Sequence, residues 1–313
     1  MKVVALAGGV GGAKLADGLA QNLGENELTI IVNVGDDFEF MGLSISPDID
    51  TVCYTLAGLA NPATGWGREH ESWQAYDNLV RLGGPDWFHL GDADLGTHLE
   101  RTQRLKSGQP LSQVTREFCQ AWGVKHQVLP ASDDRVPTIV HTKEQGALAF
   151  QEYFVKYQCA PQVTGFELEG LEGARPAPGV IEAIRAADGI IFCPSNPWVS
   201  IQPILEIPPI RQAIASKPTI AVSPIIGGQT IKGPAAKMYA EMGWQASALS
   251  VAQHYGKLLT GFVLDKQDAS LLDDVRQSGI IPYVTNTIML SVQDRRRLAG
   301  EILVFLEEIL RRT

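Results

Sequence analysis

Short apolar runs alternate along the chain with longer segments whose apolar positions recur every three or four residues. The run ending at Ala7 breaks at Gly8 and Gly9, and Leu15, Leu19 and Leu23 then mark one helical face, which predicts a strand over 2–7 and a helix over 13–23. LTIIVNV predicts a second strand over 28–34, FEFMGLSI a small hairpin, and Val52, Leu56 and Leu59 a helix over 51–59. A strand before GDADLGTH, helices near 72–82, 97–107 and 111–122, and a strand at 126–129 follow. The later segments GIIFCPSN, TIAVSPIIGG, GFVLD and PYVTNTIM read as strands between helices over 179–186, 203–215, 234–242 and 270–277. A final helix starts at Ser291, where Asp294 completes a capping box, and turns Leu298, Ile302, Phe305 and Ile309 inward.

Continuous apolar strands separated by amphipathic helices indicate a parallel sheet covered on both faces. The predicted class is therefore α/β, a Rossmann-like and mostly parallel sheet with an inserted smaller lobe. Residues 1–135 and 179–313 are expected to form the nucleotide-binding core. Residues 136–178, with TIVHT, a helical GALAFQEYFVKY and a proline-bearing polar stretch, are expected to form the lobe.

Composition narrows the function classes. The 313 residues carry a formal charge of -9, which disfavours binding to a nucleic acid backbone. Cys53, Cys119, Cys159 and Cys193 lie far apart in sequence and form neither a zinc motif nor a disulfide framework, as suits a reducing cytosol. The N-terminus runs straight into a strand and no long apolar segment follows, so a cytoplasmic protein without a membrane span is expected.

The candidate chemistry sits at strand ends. Gly8, Gly9, Gly11 and Gly12 follow the first strand, where missing side chains let backbone amides approach an anion and a helix N-terminus adds further N–H groups. Gly9, Val10, Gly11, Gly12 and Lys14 are candidate phosphate-binding residues. The GGxGG spacing is neither the dinucleotide fingerprint nor a Walker A loop. Asn33, Asp36 and Asp37 follow the second strand, with Asp48 and Asp50 close behind. Ser195 and Asn196, then Ser223, Gly227, Gly228 and Lys232, follow two later strands.

In an open parallel sheet such loops converge on one crevice. Carboxylates facing a phosphate repel it unless a hard cation intervenes, so the nucleotide implies Mg2+, with Asp36, Asp37 and Asp50 as candidate ligands. Asp50 also reads as a helix cap ahead of Thr51. Asp92, Asp94, Thr97 and His98 form a dense polar group, in which His98 is a candidate base. Asp134 and Arg135 are a candidate edge of the cleft, and Trp66 a candidate to meet a planar ligand.

With these residues in place, the chain resembles the 2-phospho-L-lactate transferase family, CofD or FbiA, of coenzyme F420 biosynthesis. The matching stretches are GGVGGAKL (8–15), NVGDDFEFMGLSISPDIDTVCYTLAG (33–58), GWGREHESW (65–73), LGDADLGTHLERTQRL (90–105), ASDDRVPT (131–138), PSNPWVSIQPIL (194–205) and SPIIGGQTIKGPAAK (223–237). The resemblance implies magnesium-dependent transfer of a phospholactyl or phosphoenolpyruvyl group from a guanosine diphosphate-linked donor. The acceptor is the terminal ribityl hydroxyl of the deazaflavin Fo, and the products are GMP and a phosphodiester. It also implies that Gly9 to Gly12, Ser195, Asn196 and Gly227-Gly228 hold the guanosine diphosphate, that Asp37 and Asp50 hold Mg2+, that Fo binds around the acidic loop and GDADLGTH, and that the protein is a homodimer. A CofD-like regulator that binds nucleotide without turnover is the alternative. Its acidic pair generally continues into a glycine- and serine-rich stretch, whereas here Phe38-Glu39-Phe40-Met41 follows.

Overall fold

A computed structural model describes residues 1–312. Its strands in chain order are β1 (Val3–Ala7), β2 (Leu28–Val32), β3 (Phe38–Phe40), β4 (Leu43–Ile45), β5 (Gln127–Pro130), β6 (Thr138–Thr142), β7 (Gly146–Ala149), β8 (Val163–Leu168), β9 (Gly189–Phe192), β10 (Thr219–Val222), β11 (Ile225–Ile226), β12 (Gln229–Thr230), β13 (Gly261–Asp265) and β14 (Ile281–Thr285). Seven of them form one sheet in the order β14-β13-β10-β9-β1-β2-β5, with every neighbouring pair parallel. Each residue of β1, β9, β10 and β13 is buried, because helices cover both faces of the sheet. Ile30, Ile31, Phe192, Ile220 and Phe262 are fully enclosed in the resulting core.

The chain leaves β1 toward β2 and β5, then returns to the other side of β1 to lay down β9 and the remaining strands. The strand order therefore reverses between β1 and β9, the switch point at which doubly wound sheets bind their ligands. β3 and β4 pair as the expected hairpin. β6, β7 and β8 form a separate antiparallel sheet, whose Val140, Leu148 and Val163, with Tyr153 of the turn after β7, pack with Val199 and Met238 of the main body. Among the described residues no helix is long and apolar enough to cross a membrane.

Several elements begin elsewhere than their apolar periodicity predicts. Helix α1 (Gly9–Ala20) starts inside the glycine motif, and α2 (Pro47–Leu56) starts at Pro47. Proline suits a first helical position, because its fixed φ is helical and its missing N–H has no partner there. Asp50 consequently lies within the first turn of α2 and does not cap Thr51. Helix α3 (Gln74–Arg81) matches its prediction, whereas α4 (Asp92–Lys106) begins at Asp92, five residues before the predicted start, and no strand lies between α3 and α4. Helix α5 (Leu111–Ala121) is as expected. GALAFQEYFVKY is not one helix: Gly146–Ala149 pairs with β6, and only Glu152–Lys156 coils, as a π-helical turn. Helix 203–215 is interrupted at Pro208 and Pro209, and Ala248–Tyr255 adds a helix that the sequence pattern misses. The C-terminal helix Val292–Leu310 carries the predicted Ser291–Asp294 capping box and buries all four predicted residues.

Candidate active site

The glycine motif hands β1 to α1 across a close contact with the loop after β9. The Gly8 N–H donates to Ser195 Oγ at 3.1 Å, and that hydroxyl donates back to the Gly8 carbonyl at 2.8 Å. Gly9 has φ +62°, a left-handed conformation that glycine adopts without strain. A Cβ on Gly11 would strike the Pro194 carbonyl oxygen, and one on Gly12 the Ser195 hydroxyl. These glycines thus bring α1 against the β9 loop. The amides of Val10 and Gly11 lie in the first turn, where a helix leaves N–H groups without internal partners.

Asp48, which carries little weight in the sequence, occupies the centre of this arrangement. Its Oδ1 accepts the Gly9 N–H at 2.6 Å and its Oδ2 accepts from Asn33 Nδ2 at 2.8 Å. Asn33 is wholly buried; its amide also donates to Asp36 Oδ1 at 3.0 Å and the Val199 carbonyl at 3.1 Å, while its Oδ1 accepts the Gly35 N–H at 2.8 Å. Its two N–H hydrogens are shared among three acceptors, so Asn33 joins the loop after β2 to α2 and to the turn after β9. Asp36 also reaches Gln151 Nε2 at 3.4 Å, which ties it to the small sheet.

Asp37 and Asp50 lie on the far side of the same carboxylate group. Ser46 Oγ donates to Asp37 Oδ2 at 2.9 Å, whereas Asp37 Oδ1 is buried without a hydrogen-bond partner. Arg101 of α4, which the sequence reading does not single out, grips both Asp50 oxygens: Nη1 to Oδ2 at 3.0 Å and Nη2 to Oδ1. Its Nη1 also lies 3.2 Å from His98 Nδ1. Because guanidinium only donates, His98 Nδ1 accepts, and the ring proton sits on Nε2, 3.4 Å from Asp94 Oδ1. Tyr54 of α2 donates to Asp94 Oδ1 at 2.7 Å and lies 2.8 Å from Thr97 Oγ1. His98 is 2% exposed with both ring nitrogens engaged, so it is not placed to act as a base on a bound substrate.

The electrostatics follow from burying this much negative charge. Burial, then the charges of Asp48 and Asp37, raises the Asp36 pKa well above the ordinary carboxylate range. Burial raises Asp37 likewise, against the pull of Arg101 and Ser46. Burial takes Asp48 to about 6, with its bonds from Asn33 and Gly9 opposing. Asp50 is raised by burial and held down in part by Arg101 and His98. Burial also raises Asp94, but the His98 and Tyr54 hydrogen bonds and the Arg101 charge outweigh it and leave that carboxyl below its usual value. A group of carboxylates this hard to ionise, with an unpartnered Asp37 oxygen, fits a hard divalent cation.

The remaining candidate residues divide by location. Lys232 Nζ meets the Thr64 carbonyl at 2.5 Å, which brings Lys232 and Val10 together at Gly65, next in sequence to the half-exposed Trp66. Lys14 Nζ contacts the Met289 carbonyl at 2.9 Å, and burial, with Arg295 and Lys232 nearby, lowers its pKa. Asn196 caps the turn at Pro197–Ile201 through Trp198 N, and its amide nitrogen meets the Met238 sulfur at 3.3 Å. Three groups hold loops together. Asp92 caps α3 through Gln74 N and Ala75 N, while Glu71 receives Ala93 N and Asp94 N at the start of α4. Asp134 receives Arg175 N at 2.9 Å, beside the exposed Arg135. Ser223 closes a turn onto Ile225, and Asp268 receives Gly227 N at 3.1 Å, next to Gly228.

Comparison with known proteins identifies the family. The profile of 2-phospho-L-lactate transferase CofD matches residues 3–302. The chain belongs to the CofD family. It is 44% identical over 316 residues to a phosphoenolpyruvate transferase of Streptomyces griseus and 42% identical over 316 residues to that of Streptomyces coelicolor, each covering 99% of both chains. The Thermobifida fusca phosphoenolpyruvate transferase is 44% identical over 282 residues, covering 86% of this chain and 88% of its own. This CofD-family chain is accordingly an enzyme, a transferase of the phospholactyl or phosphoenolpyruvyl type. In fold it also matches a solved UPF0052-family protein of Bacillus halodurans, with TM-score 0.62 at 16% identity over 96% of this chain and 98% of that one.

Proposed function

We propose that this enzyme transfers a phosphoenolpyruvyl or phospholactyl group from a guanosine diphosphate-linked donor to the terminal hydroxyl of the deazaflavin Fo, with Mg2+ as cofactor. GMP leaves, and dehydro-F420-0 or F420-0 is formed. The observation that carries the reading is the group of buried carboxylates near the β1–β9 switch point of the sheet, in which Asp37 Oδ1 has no hydrogen-bond partner among the described residues. The names of the relatives favour the enolpyruvyl donor.

In this reading the amides of Val10 and Gly11 face the donor phosphates, and Asp48 holds the amide of Gly9 until phosphate arrives. Ser195 and Asn196 form the opposite wall, and Lys14 and Lys232 lend positive charge. Asp37 and Asp50 hold Mg2+, which neutralises phosphate oxygens and stabilises the leaving GMP when bound. The carboxylates thus serve a negatively charged donor only with a cation between them. Residues 136–178 cover the acceptor ring, Trp66 borders it, and the enzyme works as a homodimer in the cytoplasm.

The test is to incubate the purified protein with Fo, MgCl2 and either guanylated donor, and to follow the products by mass spectrometry. Equimolar GMP and a phosphodiester of Fo are expected, faster from the enolpyruvyl donor. Guanine nucleotide binding that is indifferent to Fo and yields no GMP would replace the transferase with a nucleotide-binding regulator.

A further inference from the structure

Asp50, Asp94 and His98 offer ligand atoms that all lie within 4.8 Å of one another, a spacing compatible with a metal ion. A cation of another kind already fills that position. Arg101 is 1% exposed, one of the largest fully enclosed side chains of the protein, and its Nη1 touches both Asp50 Oδ2 and His98 Nδ1. A metal ion among these three residues would sit against the guanidinium, so the cluster is a clamp on Asp50.

We propose that Arg101 is a positioning residue that fixes the plane of the Asp50 carboxylate for the divalent cation. The inference rests on the reading of Asp37 and Asp50 as the residues that hold Mg2+. Two parallel donors from a planar fork define a carboxylate's orientation, which a single ammonium cannot do. The fork is held in turn. His98 accepts from Nη1 and faces Asp94, Asp94 accepts from Tyr54, and the Asp94 backbone N–H is fixed by Glu71 at 2.8 Å. Tyr54 belongs to α2, the helix that carries Asp50, so the chain of contacts closes on itself. Phe118 of α5 faces the guanidinium carbon from 6.0 Å. A carboxylate with four lone-pair positions still has capacity for a metal after accepting two N–H bonds.

The experiment measures Mn2+ binding to the full chain by electron paramagnetic resonance, alongside thermal melts and steady-state kinetics. The parent is expected to bind Mn2+, and Asp37→Asn to lose that binding. Arg101→Lys keeps the charge and removes the fork, and is expected to weaken Mn2+ binding about 10- to 100-fold, the usual cost of losing an outer-sphere partner. The KM for Mg2+ should rise, while GDP affinity measured with EDTA stays within about twofold, since the Val10 and Gly11 amides do not depend on Asp50. His98→Gln keeps the fork but removes its support, and should give a smaller loss in the same direction. An Arg101→Lys protein that melts lower yet binds Mn2+ like the parent overturns the positioning role. A parent that binds no Mn2+, or an Asp37→Asn variant that binds it unchanged, overturns instead the cation reading on which the inference stands.

Discussion

Replacing Gly11 and Gly96 each by alanine applies one chemical change to two helices with opposite expected signs. At Gly11 the new methyl meets the carbonyl oxygen of Pro194, a backbone atom with no rotamer through which to yield. α1 and the β9 loop must separate, and forced overpacking of this kind costs about 1–3 kcal/mol. At Gly96, in the interior of α4, a methyl finds no atom within 4 Å, so only the helix preference of alanine acts, stabilising by about 0.5–1 kcal/mol. For a chain of 313 residues, an unfolding entropy of about 2.1 cal/mol/K per residue makes 1 kcal/mol worth roughly 1.5 °C in melting temperature. Differential scanning calorimetry should therefore place Gly11→Ala about 1.5–4.5 °C below the parent and Gly96→Ala about 1 °C above it. Isothermal titration with GDP should show a drop in affinity for Gly11→Ala of up to about 100-fold, because displacing the binding wall by even 1 Å is costly. A Gly11→Ala protein with the parent's melting temperature and GDP affinity would show that α1 does not start against Pro194.

Gly9→Ala places alanine at φ +62° with only an ordinary contact to Asp48 Oδ1 at 3.9 Å, so it should cost about 1–2 kcal/mol of stability in a melt and weaken GDP binding less than Gly11→Ala does. Asp50→Asn is expected to lower turnover more than GDP affinity, and full magnesium-dependent activity in Asp50→Ala would remove Asp50 from the cation site. Asp37→Asn replaces a carboxyl whose pKa burial raises, so it should not lower the melting temperature at neutral pH in EDTA, while Mn2+ binding is lost. Burial among Trp198, Tyr239 and Tyr255, with Arg211 adding to the effect, takes the His254 pKa down to about 4 from 6.5. The unfolded chain takes up that proton first, so this histidine withdraws stability as pH falls from 6.5 toward 4, about 2 kcal/mol by pH 5. The melting temperature of the parent should fall about 3 °C more than that of His254→Gln between pH 7 and pH 5; equal falls would place His254 in contact with water.

The sequence by itself determined the sheet, the glycine turn and the strand ends at which the polar candidates gather. These are local properties: short unbroken apolar runs of strand length, bounded by glycine and polar breaks, fit strands covered on both faces, and missing side chains let backbone amides open outward. The C-terminal helix was legible for the same reason, since the Ser291–Asp294 box and the apolar stripe lie within a few turns of one another. Tertiary structure decided which polar groups remain available. Asp48 reads as an acidic turn until α2 begins at Pro47 and brings its carboxylate onto Gly9. Arg101 reads as one of several charges on a helix until the fold encloses it against Asp50, 51 residues away. Asp92 reads as a site residue, yet it accepts the Gln74 and Ala75 amides at the start of α3. Cys53 and Cys119, isolated in sequence, meet with their sulfurs 3.4 Å apart where α2 packs near α5. The physical reason is the same in each case: periodicity and residue type fix the backbone, but a buried charge takes its role from whichever partner the packing brings within hydrogen-bond reach, and those partners lie far away in the chain.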